Sequence, residues 1–109
     1  NHIAAAGGVR TAVERTRATG HAIEIEVRTR EELAAALDAG ATHLLLDNFS
    51  PAEVKDLVAS IAGRAKVEAS GGITIDNIRA YALAGADFVS AGAITHSAPA
   101  ADISFRLEV

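Results

Sequence analysis

Apolar and polar positions along the chain switch between two periods, and the switches recur. Leu33, Ala36 and Leu37 fall at helical spacing behind Thr29-Arg30-Glu31-Glu32, a capping-box pattern, and Gly40 stands where a left-handed residue ends a helix. Ser50-Pro51-Ala52-Glu53 repeats the box with proline in the first turn, and Val54, Leu57, Val58 and Ile61 form an apolar stripe that stops before Gly63. A further helix is expected from Thr74 or Asp76 through Ile78, Tyr81 and Leu83 to Gly85, and an earlier one over about 9–18 before Gly20. Between these helices lie short β-branched or leucine-rich runs at 22–27, 43–46, 65–69 and 88–91.

Strands alternating with helices of about ten residues predict βαβ units and a parallel sheet. All-apolar Leu44-Leu45-Leu46 predicts a strand buried on both faces. Thr29 and Thr74, Gly40 and Gly85, and Ala41 and Ala86 are each 45 residues apart and mark equivalent points of a unit. Two units therefore repeat as a block, which favours an α/β fold in which parallel (β/α) units form part of a TIM-like barrel. About four such units are expected over 1–101. In 102–109, Ile103, Phe105, Leu107 and Val109 alternate with polar residues, the pattern of a half-buried C-terminal strand with no evident partner among the four.

Composition narrows the chemistry. Half of the residues are apolar, much of that alanine, and aromatics are 4% of 109 residues, so one domain with a core of small side chains is expected. The absence of cysteine excludes disulfides, thiolate metal sites and a cysteine nucleophile. No apolar run reaches the roughly 18 residues of a membrane span and no signal peptide opens the chain, which makes a cytoplasmic protein the default expectation. A net charge of −4 with scattered Lys and Arg argues against nucleic acid.

The predicted strands end at Glu26, Asp47, Ser70-Gly71 and Gly92, which stand 21, 23 and 22 residues apart. Unit length explains that spacing but not the residue types. Two carboxylates and two glycine loops would gather on the C-terminal face, where barrel enzymes hold their active sites. Ser70-Gly71-Gly72 lets the backbone approach a ligand, and a helix start directly behind it would offer unpaired N–H groups to an anion. Ala91-Gly92-Ala93 followed by Ile94-Thr95-His96-Ser97 is a second candidate phosphate loop, with His96 beside it; the bland alternative is that these glycines only turn the chain.

Glu26 and Asp47 suit Mg²⁺ or ribose hydroxyls. Glu24 and Glu26 have a competing reading as solvent-facing residues, and Asp47 one as an Asx turn or helix cap before Ser50. Glu68, two residues before Ser70, shares its side of the strand and needs a partner if buried. His21 and His43 have no partner visible in the pattern. Two acids and an anionic substrate would leave excess negative charge, and Arg28, two residues past Glu26, is the nearest basic residue to a strand end.

In order along the chain stand Asn1-His2-Ile3 with Ala4 to Ala6, Glu24-Ile25-Glu26-Val27, Leu46-Asp47-Asn48-Phe49-Ser50, Glu68-Ala69-Ser70-Gly71-Gly72-Ile73 and Gly92-Ala93-Ile94-Thr95-His96-Ser97. Together they resemble the C-terminal part of the quinolinate phosphoribosyltransferase family, over essentially the whole chain. The resemblance implies transfer of the phosphoribosyl group of phosphoribosyl pyrophosphate to quinolinate, with Mg²⁺, giving nicotinate mononucleotide, pyrophosphate and CO₂. It implies that Glu26 and Asp47 meet ribose hydroxyls and Mg²⁺, that Ser70, Gly71, Gly72 and Gly92 hold the 5′-phosphate, and that His96 lies beside it.

Family members carry a lysine just before an Asp-Asn-His sequence, and arginines and a histidine further upstream that grip the substrate carboxylates and pyrophosphate. These precede Asn1, so this chain is expected to be inactive alone and to act within a longer protein, a homodimer or higher homo-oligomer, whose N-terminal domain pairs with the 102–109 strand. A barrel pyrophosphorylase of the molybdenum-transport type shares these loops. A non-catalytic half-barrel that binds phosphate is the third reading.

Overall fold

A computed structural model describes residues 7–18, 20 and 23–92. The expectations for His2, His21, His96 and the 102–109 strand lie outside the described residues. Among the described residues four helices, α1 (Val9–Arg17), α2 (Arg30–Asp38), α3 (Pro51–Ile61) and α4 (Ile78–Leu83), alternate with strands β1 (Glu24–Val27), β2 (His43–Asp47), β3 (Lys66–Ser70) and β4 (Phe88–Val89). The strands form one parallel sheet in the order β1-β2-β3-β4. This is the α/β architecture that the alternating periods predict, arranged as successive (β/α) units of a TIM-like barrel.

Capping fixes the helix starts. Ser50 Oγ accepts from Glu53 N at 3.3 Å while Glu53 Oε2 accepts from Ser50 N at 2.8 Å, a complete capping box with Pro51 in the first turn. The Ser50 N–H and hydroxyl hold the Glu53 carboxyl below its ordinary range. At α2, Thr29 Oγ1 accepts from Glu32 N at 3.1 Å, but Glu32 Oε2 takes the N–H of Arg28 rather than that of Thr29. The fourth helix starts at Ile78, later than the sequence suggests. Asn77 is the reason: its Oδ1 accepts from Thr74 N at 2.8 Å and its Nδ2 donates to Gly72 O at 3.0 Å, a local turn that competes with helix.

Period-two alternation sorts the sheet into two faces. Ile25, Val27, Leu44, Leu46, Val67 and Ala69 are buried against Val13 of α1, Leu33 and Ala36 of α2, Val54, Leu57 and Ile61 of α3 and Tyr81 of α4. The opposite face carries Glu24, Glu26, His43, Leu45, Asp47, Glu68 and Ser70, exposed or half-buried. The expectation that β2 is buried on both faces is therefore corrected. Leu45 is only half-buried, because its face is polar and no helix covers it among the described residues. β4 is also shorter than the predicted 88–91 run, pairing with β3 only through Phe88 and Val89.

Candidate functional site

Strand register brings three of the predicted ends together. Asp47 pairs with Ser70 across β2 and β3, and the Asn48 N–H donates to Ser70 O at 2.9 Å, so the Asp47-Asn48 turn and the glycine loop are one unit. Ser90, just past β4, joins through its N–H to Ala69 O at 2.9 Å and through its hydroxyl to Glu68 Oε1. Glu26 lies one strand over, in register with Leu45, two positions below Asp47.

Gly71 cannot be replaced without disturbance. Its φ is +87°, and a Cβ there would overlap Asn48 Oδ1 and stand 2.8 Å from Asn48 N. Asn48 is itself left-handed at φ +62°. Gly72 also needs positive φ, at +63°, but a Cβ on it would meet nothing within 4 Å. Neither Gly71 nor Gly72 donates its N–H to a hydrogen bond among the described residues. Among the described residues the loop thus presents two N–H groups without a partner, with open space beside Gly72, a geometry suited to an anion. The helix behind it contributes less than the sequence suggests, because the Thr74 to Asn77 turn separates Gly72 from the short α4. Gly92 is exposed, without positive φ and, among the described residues, without a close neighbour for a Cβ.

Two further side chains, Tyr81 and Asp87, tie the units together. Tyr81, buried on α4, donates its hydroxyl to Phe49 O at 3.0 Å and ties that helix to the segment after Asp47. Asp87 accepts from Val67 N at 2.9 Å and from Lys66 Nζ at 3.1 Å, fastening the start of β4 to β3. The Val67 N–H, then Lys66, hold the Asp87 carboxyl below its ordinary range.

The acids have a cation between them. Arg28 Nη2 lies 2.7 Å from Glu26 Oε1, and Arg28 Nε donates to Asp47 Oδ2 at 3.0 Å. The Glu26 charge raises the Arg28 pKa further, with burial opposing and the hydrogen bond that Arg28 donates to Asp47 adding to it. Asn48 Nδ2 donates to the same Asp47 oxygen at 3.1 Å. Asp47 therefore does not cap α3, a role Ser50 fills. Glu26 remains 44% exposed at its side chain and Asp47 16%, so the solvent-facing reading of Glu26 holds for the described residues, yet its carboxylate is engaged.

Sequence reasoning missed a second group on the same face. Glu24, His43 and Glu68, from three adjacent strands, place one donor atom each within 4.8 Å of one another. His43 stacks on Phe88 at 5.5 Å and 19°, with Nε2 3.8 Å from Glu68 Oε2 and without a hydrogen-bond partner. The signal was present in the period-two placement of these residues, but only strand register aligns them.

The profile described as quinolinate phosphoribosyl transferase, C-terminal domain, matches residues 1–106. Over 107 residues the chain is 40% identical to a Bacillus subtilis protein named probable nicotinate-nucleotide pyrophosphorylase [carboxylating], covering 95% of this chain and 37% of that protein. It is 39% identical over 113 residues to the Homo sapiens nicotinate-nucleotide pyrophosphorylase [carboxylating], covering 98% of this chain and 38% of that one. The solved nicotinate-nucleotide pyrophosphorylase from Francisella tularensis superposes with a TM-score of 0.81 at 39% identity, over 87% of this chain and 35% of that one. The chain thus spans well under half the length of these relatives.

Proposed function

The chain belongs to the family of quinolinate phosphoribosyl transferase C-terminal domains, and we propose from that premise that it supplies the ribose-phosphate half of a site that makes nicotinate mononucleotide. The observation that carries this reading is the union of a carboxylate pair, Glu26 and Asp47, with the two free N–H groups of the Gly71-Gly72 loop on one end of one sheet. In the reaction the quinolinate ring nitrogen bonds to ribose C1, the C1–O bond to pyrophosphate breaks, and the ring 2-carboxylate leaves as CO₂ while a proton takes its place.

Glu26 and Asp47 orient the ribose through its hydroxyls and stabilise the positive charge that develops at C1 as pyrophosphate departs. Ser70, Gly71 and Gly72 hold the 5′-phosphate at the far end of the sugar, with Gly92 and His96 assigned to the same phosphate. Fixing both ends aligns C1 with the incoming nitrogen. The donor set fits Mg²⁺, since Glu26 and Asp47 each keep one carboxylate oxygen free of hydrogen bonds among the described residues. When bound, Mg²⁺ supplies charge neutralisation for the leaving pyrophosphate.

The groups that grip quinolinate are assigned to other parts of a longer, homodimeric protein acting in the cytoplasm. Asp47→Asn and Glu26→Gln in that protein test the roles of the acids. Each is expected to lower kcat for nicotinate mononucleotide formation by about 10²-fold, the scale of one lost electrostatic contact to a transition state. Unchanged kcat in both variants sinks the assignment.

A further inference from the structure

Arg28 Nη2 meets Glu26 Oε1 and Arg28 Nε meets Asp47 Oδ2, two different carboxylates on neighbouring strands. The fork geometry of a guanidinium allows this, and an ammonium point charge does not reproduce it. The backbone from which the side chain departs is fixed as well, because the Arg28 N–H donates to Glu32 Oε2 at 2.7 Å in the first turn of α2. Asn48 Nδ2 adds a second donor to the same Asp47 oxygen that Arg28 takes. Among the described residues Glu26 Oε2 and Asp47 Oδ1 accept no hydrogen bond, so each acid is held by one oxygen and offers the other.

Two carboxylates on neighbouring strands repel when no cation stands between them. A cation held beside them relieves that repulsion, but it also lowers their attraction for a second cation.

We propose that Arg28 is the positioning residue of this carboxylate pair: it holds Glu26 and Asp47 in alignment through one oxygen each and, by neutralising part of their charge, weakens the affinity of the pair for a divalent cation. This rests on the reading of Glu26 and Asp47 as the ribose and metal acids, and it adds a residue outside the set that reading assigns. It makes the two consequences of removing Arg28 opposite in sign. Cation affinity rises because a competing charge is gone, while turnover falls because the carboxylates are no longer aligned. Lysine separates the two, since it keeps the charge and loses the fork.

Mn²⁺ binding to the full-length protein carrying this domain, measured by electron paramagnetic resonance without substrates, provides the direct readout, with kcat measured in parallel. Arg28→Gln is expected to bind Mn²⁺ about fivefold more tightly, the scale of one partly screened charge contact. Its kcat is expected to fall by about tenfold or more. Arg28→Lys is expected to keep the wild-type Mn²⁺ affinity without recovering kcat.

If Arg28→Gln binds Mn²⁺ no more tightly than wild type while Glu26→Gln with Asp47→Asn abolishes that binding, the acid pair stands and the role of Arg28 is overturned. If the acid double variant binds Mn²⁺ as wild type does, the metal reading of the pair fails, and this inference fails with it.

Discussion

Replacing Gly71 and Gly72 by alanine, one at a time, separates the structural from the binding role of the loop. Both positions have positive φ, +87° and +63°, so each alanine carries the left-handed strain of about 1–2 kcal/mol. Only at Gly71 does the new methyl collide with a neighbour, overlapping Asn48 Oδ1 and lying 2.8 Å from Asn48 N. The Asn48 backbone is fixed by its bond to Ser70 O, so relief requires moving the Asp47-Asn48 turn, at a further cost of about 1–3 kcal/mol. Gly71→Ala should therefore lower unfolding free energy by about 2–5 kcal/mol and Gly72→Ala by about 1–2 kcal/mol, read from urea midpoints with unchanged slope. Phosphate binding should fall in Gly72→Ala out of proportion to stability, because its methyl enters the open space beside the free N–H groups. Equal stability losses in the two variants would refute the coupling between the glycine loop and Asn48, and normal phosphate affinity in Gly72→Ala would remove the anion from that space.

Tyr81→Phe removes the donor to Phe49 O and should cost about 1 kcal/mol in denaturant unfolding; a neutral result would mean that this contact does not brace the loop after Asp47. The Val67 N–H and Lys66 hold the Asp87 carboxyl below its ordinary range when folded, so its contribution is fully present above the unfolded value and is lost as pH falls through the lowered folded one. Asp87→Asn should thus be less stable than wild type at pH 7, with the gap closing in acid; a gap independent of pH would contradict the assignment. Ser50→Ala should cost about 0.5–2 kcal/mol by opening the capping box of α3, detected as a lower thermal midpoint.

What was legible in the sequence was what local rules dictate. Ser50-Pro51-Ala52-Glu53 forms a box wherever it starts a helix, and alternation in Lys66-Val67-Glu68-Ala69-Ser70 fixes which residues face the helices. The later start of α4 was not legible, because Asn77 satisfies the Thr74 N–H and the Gly72 carbonyl in a way that propensity cannot foresee. Nor was the exposure of Leu45, since an apolar run looks the same whether one face or two are covered. At the site, the types and spacing of Glu26, Asp47 and Gly71 foretold that these residues stand at one end of the sheet. The bridge from Arg28 to both acids depends on its side chain turning back across two strands, and the Glu24, His43 and Glu68 group depends on register. Both are long-range facts that no single stretch of sequence contains.

The most direct test of the central claim is a crystal structure of the protein carrying this domain with phosphoribosyl pyrophosphate bound. The account predicts 5′-phosphate oxygens at about 3 Å from the Gly71 and Gly72 nitrogens, with the ribose hydroxyls against Glu26 and Asp47. A sugar phosphate bound away from that loop, with Glu26 and Asp47 paired to Arg28 alone, would contradict it.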